Sequence, residues 1–408
     1  MHLNIPKHFH LSMTDQNPPT DATTSDYSPL ILETWDSIPD LKPEVLRGIF
    51  AYGFEHPSPI QKKGLMPLLD KKDTIAQAQS GTGKTGCFTV ATLQLVNHEK
   101  DETQAILMSP TRELSRQIYE VTTALGAYID GLRVQLLVGG TSIDEDVQEL
   151  KKNPPHIVIG CPGRVHDMMR RKHLNGQTVR LMILDEADDL LSHGFKEQVY
   201  NIFQFINTQV QVGLFSATMP PELHTLSDKF MRDPIKILVK AESLTLEGIE
   251  QYYVALDNDN QKYQTLKDLF NSISVSQCII YCNSVKRVAD LHEAMTQDGY
   301  PVCCLHSNMD RQARSDSYEQ FRIGKYRVLI SSNVTARGID IQQVSTVINF
   351  DIPKDISTYL HRIGRSGRWG RKGCGINFIT RRDFRRIKDI ESHYSTQIQE
   401  LPASFVKE

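Results

Sequence analysis

The 408-residue sequence has no excess of positive charge: 46 lysines and arginines stand against 49 aspartates and glutamates, a formal net charge of −3. Overall basicity is thereby excluded as a means of gripping nucleic acid, and any such contact must come from local placement. Paired cysteines are also lacking. The seven present (Cys87, Cys161, Cys278, Cys282, Cys303, Cys304 and Cys374) are an odd number, and Cys278 to Cys282 has neither zinc-site spacing nor a second pair. Several fall inside apolar runs, as reduced core thiols do. The opening segment, residues 1–32, has no apolar stretch long enough for a signal peptide or a membrane span. It is rich in Thr, Asp, Ser and Pro and reads as a disordered tail. No fixed short-period repeat is present, which excludes a solenoid.

What remains is a chain long enough for two or three domains. Short aliphatic runs alternate with longer segments of helical period, the pattern of parallel sheets flanked by helices. The expected strands are Thr74–Ala76, Ala105–Met108, His156–Ile159, Leu181–Leu184 and Gln211–Phe215, then Cys278–Tyr281, Val302–Leu305, Arg327–Ile330, Thr346–Asn349 and Gly375–Phe378. Between the two series, Lys240 to about Ile249 has no clear period. The expectation is an α/β protein with a first domain over 33–240, a linker over 241–248 and a second domain over 249–408. In such sheets ligands bind beyond the carboxyl ends of the strands, so residues just after each strand share one edge.

The first strand runs into Ala78-Gln79-Ser80-Gly81-Thr82-Gly83-Lys84-Thr85 and then a helical pattern. Glycines let backbone N–H groups wrap phosphate oxygens, a lysine reaches the outer phosphates and a threonine hydroxyl ligates Mg²⁺. The common form of this loop begins with Gly where this chain has Ala78. The run Leu181–Leu184 delivers Asp185-Glu186-Ala187-Asp188 to the same edge. Asp185 is the expected second Mg²⁺ ligand, and Glu186 is placed to orient or deprotonate a water.

The string Asp185-Glu-Ala-Asp188 resembles the signature of the DEAD-box helicases, and the resemblance covers about Trp35 to Tyr394. It implies two tandem RecA-like domains, ATP and Mg²⁺ as cofactors, and RNA as partner. In Gly53-Phe-Glu-His-Pro-Ser-Pro-Ile-Gln61, similar to the family's adenine motif, Phe54 would stack on the base and Gln61 pair with its edge. Ser216-Ala-Thr218 resembles the motif coupling hydrolysis to strand separation. Ala336-Arg-Gly-Ile-Asp340 looks like the motif whose acid meets the ribose. His361-Arg-Ile-Gly-Arg365-Ser-Gly-Arg368 resembles the arginine-finger motif, with Arg365 and Arg368 reaching the γ-phosphate and His361 in coupling. The implied RNA contacts are Pro110, Arg112, Gly140, Gly163 and Arg164 in the first domain and Asn283, Arg287, Arg314 and Ser332 in the second.

Three positions depart from the family: Cys161 for Thr, Arg311 for Gln and Asn333 for Asp. Arg47-Gly-Ile-Phe-Ala-Tyr-Gly-Phe54 and Gln342-Gln-Val-Ser345 are most similar to the translation initiation factor 4A subfamily, including its exon-junction relative. That likeness implies unwinding of short RNA duplexes on single-stranded RNA. It also implies a monomer in the cytoplasm, with the nucleus as the alternative, and a helical-repeat scaffold of the initiation factor 4G type. The competing readings are an ATP-gated RNA clamp serving exon-junction, splicing or ribosome-assembly complexes, and a nucleotide hydrolase acting on DNA or protein.

Overall fold

A computed structural model describes residues 32–78, 81–192, 194–238, 249–272, 277–335, 344–366 and 373–402. The expected tail up to residue 31, the linker 241–248, Gln79, Ser80, Asp340, Arg368 and the side chain of Arg311 lie outside the described residues. Leu32, counted with the tail, is buried in the first core beside Trp35.

The described strands form two seven-stranded sheets, every pairing parallel. The first contains β1 (Thr74–Gln77), β2 (Ala105–Met108), β3 (Val134–Leu137), β4 (Ile157–Gly160), β5 (Leu181–Asp185), β6 (Gln211–Ser216) and β7 (Ile235–Leu238). The second contains β8 (Ile249–Leu256), β9 (Cys278–Tyr281), β10 (Val302–Leu305), β11 (Val328–Ser331), β12 (Thr346–Asn349), β13 (Gly373–Thr380) and β14 (Gln399–Glu400). Strand order is β3-β4-β2-β5-β6-β1-β7 in the first and β10-β11-β9-β12-β13-β8-β14 in the second. The two sheets thus have one topology, with β8 standing where β1 stands and β12 where β5 stands.

The central strands are buried on both faces, which is why they read as unbroken aliphatic runs such as Leu181–Leu184 and Cys278–Tyr281. Helices cover both faces, and each sheet separates two apolar clusters. Helix starts follow from local chemistry. Thr111 caps Arg112–Leu125 by accepting the Leu114 N–H, and Ser284 and Asp310 cap Val285–Gln297 and Arg311–Arg322 in the same way. No described helix is long and apolar enough to cross a membrane.

Candidate nucleotide and RNA site

The phosphate loop lies between β1 and the helix Lys84–Leu95. Gly83 has φ 102°, in the left-handed region, and a Cβ there would lie 2.6 Å from Ser58 Oγ. Glycine is therefore demanded both by the turn and by the close approach of the adenine-type motif. Gln61 uses its carboxamide to hold that approach: Oε1 accepts the Ser58 N–H (2.7 Å) and Nε2 donates to Gly83 O (3.0 Å). Phe54 is half-buried, stacked on Trp35 at 6.2 Å, and sits so near Gly86 that a Cβ there would lie 2.8 Å from its ring. Sequence thus brings Phe54 and Gln61 against the phosphate loop, although neither is adjacent to it along the chain.

Lys84 is buried, and its ammonium donates to Ala78 O (3.0 Å) and to Glu186 Oε1 (3.4 Å). Asp185 accepts the Glu186 N–H (3.0 Å), and burial, only partly countered by Lys84, pushes its carboxyl up to about 7. Such an acid calls for a cation beside it. Together with the Thr85 hydroxyl it offers the hard oxygen donors that Mg²⁺ takes. Glu186 has φ 49°, an uncommon conformation for a residue with a Cβ, and its buried Oε2 has no hydrogen-bond partner among the described residues. Strain and an unused acceptor together mark Glu186 as held ready for a ligand or water.

The two sheets meet at Asp188. Thr218 Oγ1 donates to Asp188 Oδ2 (2.6 Å), the Asp188 N–H donates to Ser216 Oγ (3.3 Å), and the Ala78 N–H donates to Ser216 O (3.0 Å). From the second sheet, His361 brings Nε2 within 3.3 Å of the same Asp188 oxygen and Nδ1 within 4.0 Å of Glu186 Oε2. Ligating atoms of Glu186, Asp188 and His361 lie within 4.8 Å of one another. One carboxylate therefore connects the phosphate loop, the Ser216–Thr218 segment and the second domain. Arg365, on the turn after His361, is buried, and its Nε donates to His361 O at 3.2 Å.

The expected RNA residues divide. Arg112 lies against Gly139 and Gly140, where a Cβ at Gly140 would come within 2.6 Å of its guanidinium. Gly163, in the first turn of the helix Pro162–Arg170, faces open space, and Pro110 is buried. Ser332 is half-buried and its N–H donates to Leu305 O. Four residues are engaged within the protein instead. Arg164 braces the glycine turn, donating to Thr141 Oγ1 and O (both 2.8 Å) and pairing with Asp146. Arg287 pairs with Asp259 (2.6 Å) and Asp351 (2.9 Å). Asn283 accepts from Arg362 Nη2 (2.8 Å). Arg314 crosses between domains to Glu113. Neither Glu113 nor Arg362 has a role assigned from sequence, although Glu113 adjoins Arg112 and Arg362 stands inside the string His361–Arg368.

A sequence profile of the DEAD/DEAH box helicase matches residues 58–226, and one of the helicase conserved C-terminal domain matches 261–370. Eukaryotic initiation factor 4A of Caenorhabditis elegans is 49% identical over 374 residues, 92% of each chain. The ATP-dependent RNA helicase eIF4A of Schizosaccharomyces pombe is 47% identical over 372 residues, 91% of this chain and 94% of that one. Among solved structures, S. cerevisiae Dbp5 bound to RNA and ADP BeF3 aligns with a TM-score of 0.83 at 34% identity, covering 90% of this chain and 95% of that one.

Proposed function

The chain belongs to the DEAD-box helicase family, and from that premise we propose that it is an ATP-dependent RNA helicase of translation initiation, built from domains at 33–240 and 249–408. The observation that carries this reading is the convergence of His361 and Thr218 on Asp188, one residue from Glu186 and its ion pair with Lys84. Relatives named as initiation factor 4A support the process assigned; a cytoplasmic setting and a helical-repeat scaffold of the initiation factor 4G type as partner belong to the same proposal.

On this reading the Phe54 ring and the Gln61 carboxamide receive the adenine, and the N–H groups around Gly81–Lys84 receive the phosphates. Thr85 and Asp185 hold Mg²⁺, which neutralises phosphate charge when bound. Glu186 orients the attacking water and takes its proton. Lys84, which pairs with Glu186, brings its ammonium to the outer phosphates. Arg365 and Arg368 supply positive charge from the second domain, so ATP favours the closed arrangement by touching both halves. Closure aligns Arg112, Gly140 and Gly163 with Ser332 along one RNA strand, gripped by its backbone without reading sequence.

Steady-state ATP hydrolysis by the full chain, with and without single-stranded RNA and with matched DNA and GTP as controls, tests the reading. Stimulation by RNA alone with ATP preferred supports it. Stimulation by DNA alone would replace RNA as the substrate, and tight ATP-dependent RNA retention without turnover would indicate a clamp.

A further inference from the structure

The shared topology of the two sheets gives the second domain a counterpart, in altered form, of the phosphate site. In the first domain, the loop after β1 leads to Lys84, which pairs with Glu186 just beyond β5. In the second, the loop after β8 leads to Lys262, which pairs with Asp351 just beyond β12 at 3.0 Å. The strand registers coincide as well: Leu184 closes the β2–β5 ladder and Asn349 the β9–β12 ladder, so Glu186 and Asp351 both stand two residues beyond the last ladder pair. Both lysines are buried, Lys84 at 5% exposure and Lys262 at 4%.

The chemistry around the counterpart has changed. Its loop, Asp257-Asn258-Asp259-Asn260, has no glycine to let backbone N–H groups wrap a phosphate. Lys262 is held by Asp259 (2.9 Å) as well as Asp351, and Arg287 pairs with the same two acids. The floor is therefore internally neutralised and closed to a nucleotide. Above it lies a cavity of about 650 Å³ whose rim carries Arg381, Arg382 and Arg386. Asp383, between them, is committed to the Thr380 N–H and hydroxyl (2.9 and 2.8 Å). Among the described residues, none of the three arginine side chains has a hydrogen bond or an ion pair.

We propose that this cavity binds a small polyphosphate anion, held by the three rim arginines over the Lys262–Asp351 floor. Unpaired guanidinium forks match phosphate oxygens in charge and in planar geometry. The N-terminus of the helix Gln261–Ser272 opens onto the same cavity and adds a favourable field for an anion. The site is separate from the ATP loop, which belongs to the other sheet.

The test is a calorimetric titration of the full chain with inorganic tripolyphosphate. The ATP site is first saturated with a non-hydrolysable ATP analogue and the RNA groove with single-stranded RNA. A saturable binding event is expected, weakened at least tenfold in the double variant Arg381→Ser/Arg386→Ser. That variant should keep its melting temperature and its RNA-stimulated ATPase, because neither side chain has a partner to lose. Absence of the event, its survival in the double variant, or stronger binding of an oligoglutamate peptide than of tripolyphosphate would overturn the proposal. So would recovery of binding only when RNA is left out, which would assign the arginines to the RNA path.

Discussion

Arg314 and Glu113, one from each domain, lie fork against carboxylate: Arg314 Nε meets Glu113 Oε1 at 2.5 Å and Nη2 meets Oε2 at 2.6 Å, with both side chains mostly buried. A bidentate pair of this kind forms only when the domains are together, so its energy contributes to closure rather than to either fold. Such charge-assisted bonds contribute about 1.5–3 kcal/mol each before desolvation, and a net of about 1–2 kcal/mol is reasonable for a pair that opens to water. Arg314→Ala should therefore lower the closed population roughly tenfold, at about 1.4 kcal/mol per decade. Fluorescence transfer between labels on the two domains, with ATP analogue and RNA present, reads this directly. The exchange Glu113→Arg with Arg314→Glu should restore much of the closure, and failure of either single change to open the protein would refute the role.

Glu186 has the strained backbone and the unused acceptor, while Lys84 neutralises its other oxygen. Glu186→Gln keeps the shape and removes the base. Turnover should fall by about 10²–10⁴, the range general bases contribute. ATP-dependent RNA binding should persist, since no phosphate-loop group changes. Filter binding with ATP and RNA, run beside a phosphate-release assay, separates the two effects. Normal turnover in this variant would remove Glu186 from the chemistry.

Most of this site was legible because strands that end in one plane leave polar strings at their carboxyl ends, and those strings are contiguous in sequence. The phosphate loop after β1 and the acids at the end of β5 are examples. Four of the described strands escaped. β3 (Val134–Leu137) is half-buried over most of its length, with Gln135 interrupting the aliphatic run, and so lacks the signature of a central strand. That omission made Leu181–Leu184 the fourth expected strand, whereas it is the fifth. β7 and the two-residue β14 are short edge strands, and β8 exposes side chains irregularly along its eight residues. The clasp between Glu113 and Arg314 spans 201 residues, and nothing local to either names its partner. Arg164, Asn283 and Arg287 illustrate the opposite difficulty. Each occupies a position where a family resemblance implies RNA, yet each makes short internal bonds that only the folded geometry displays.

Cys161 stands at the N-cap of the helix Pro162–Arg170, and its side chain makes no capping bond. The buried thiol instead faces Ser115 Oγ at 3.4 Å, and burial pushes it up to about 11, so it stays protonated. Threonine there would return an oxygen to the free N–H groups of the first turn, at a gain of about 0.5–2 kcal/mol. Cys161→Thr should accordingly raise the first thermal transition by a few degrees in a calorimetric scan. An unchanged or lowered transition would mean that the Ser115 contact outweighs the cap.

Asn333 sits under the most buried cation in the described second domain. Arg362 is 0% exposed, and all of its hydrogen bonds end on neutral oxygens. Nε and Nη2 donate to Asn333 Oδ1 (3.0 and 2.6 Å), Nη1 to Asn349 Oδ1 and Asp351 O (3.1 and 2.7 Å), and Nη2 to Asn283 Oδ1 (2.8 Å). Burial lowers the guanidinium to about 10, and the Asp351 carboxylate is turned to Lys262 and Arg287. A carboxylate at position 333 would have nearly the same shape and would convert two neutral bonds into charge-assisted ones. Asn333→Asp should then stabilise the second domain by about 1–2 kcal/mol at neutral pH, less whatever the new charge costs to desolvate. The new acid would titrate below its unfolded value of about 3.9. Its contribution would therefore be complete above that pH and would disappear as pH falls through the lower folded value. Asn333→Leu, which strands two buried N–H groups, should instead cost about 2–3 kcal/mol. Denaturant melts of both variants at pH 7 and pH 3 decide the matter. A gain for Asn333→Asp that is undiminished at pH 3 could not be electrostatic, and a loss at pH 7 would show that desolvation outweighs the pairing.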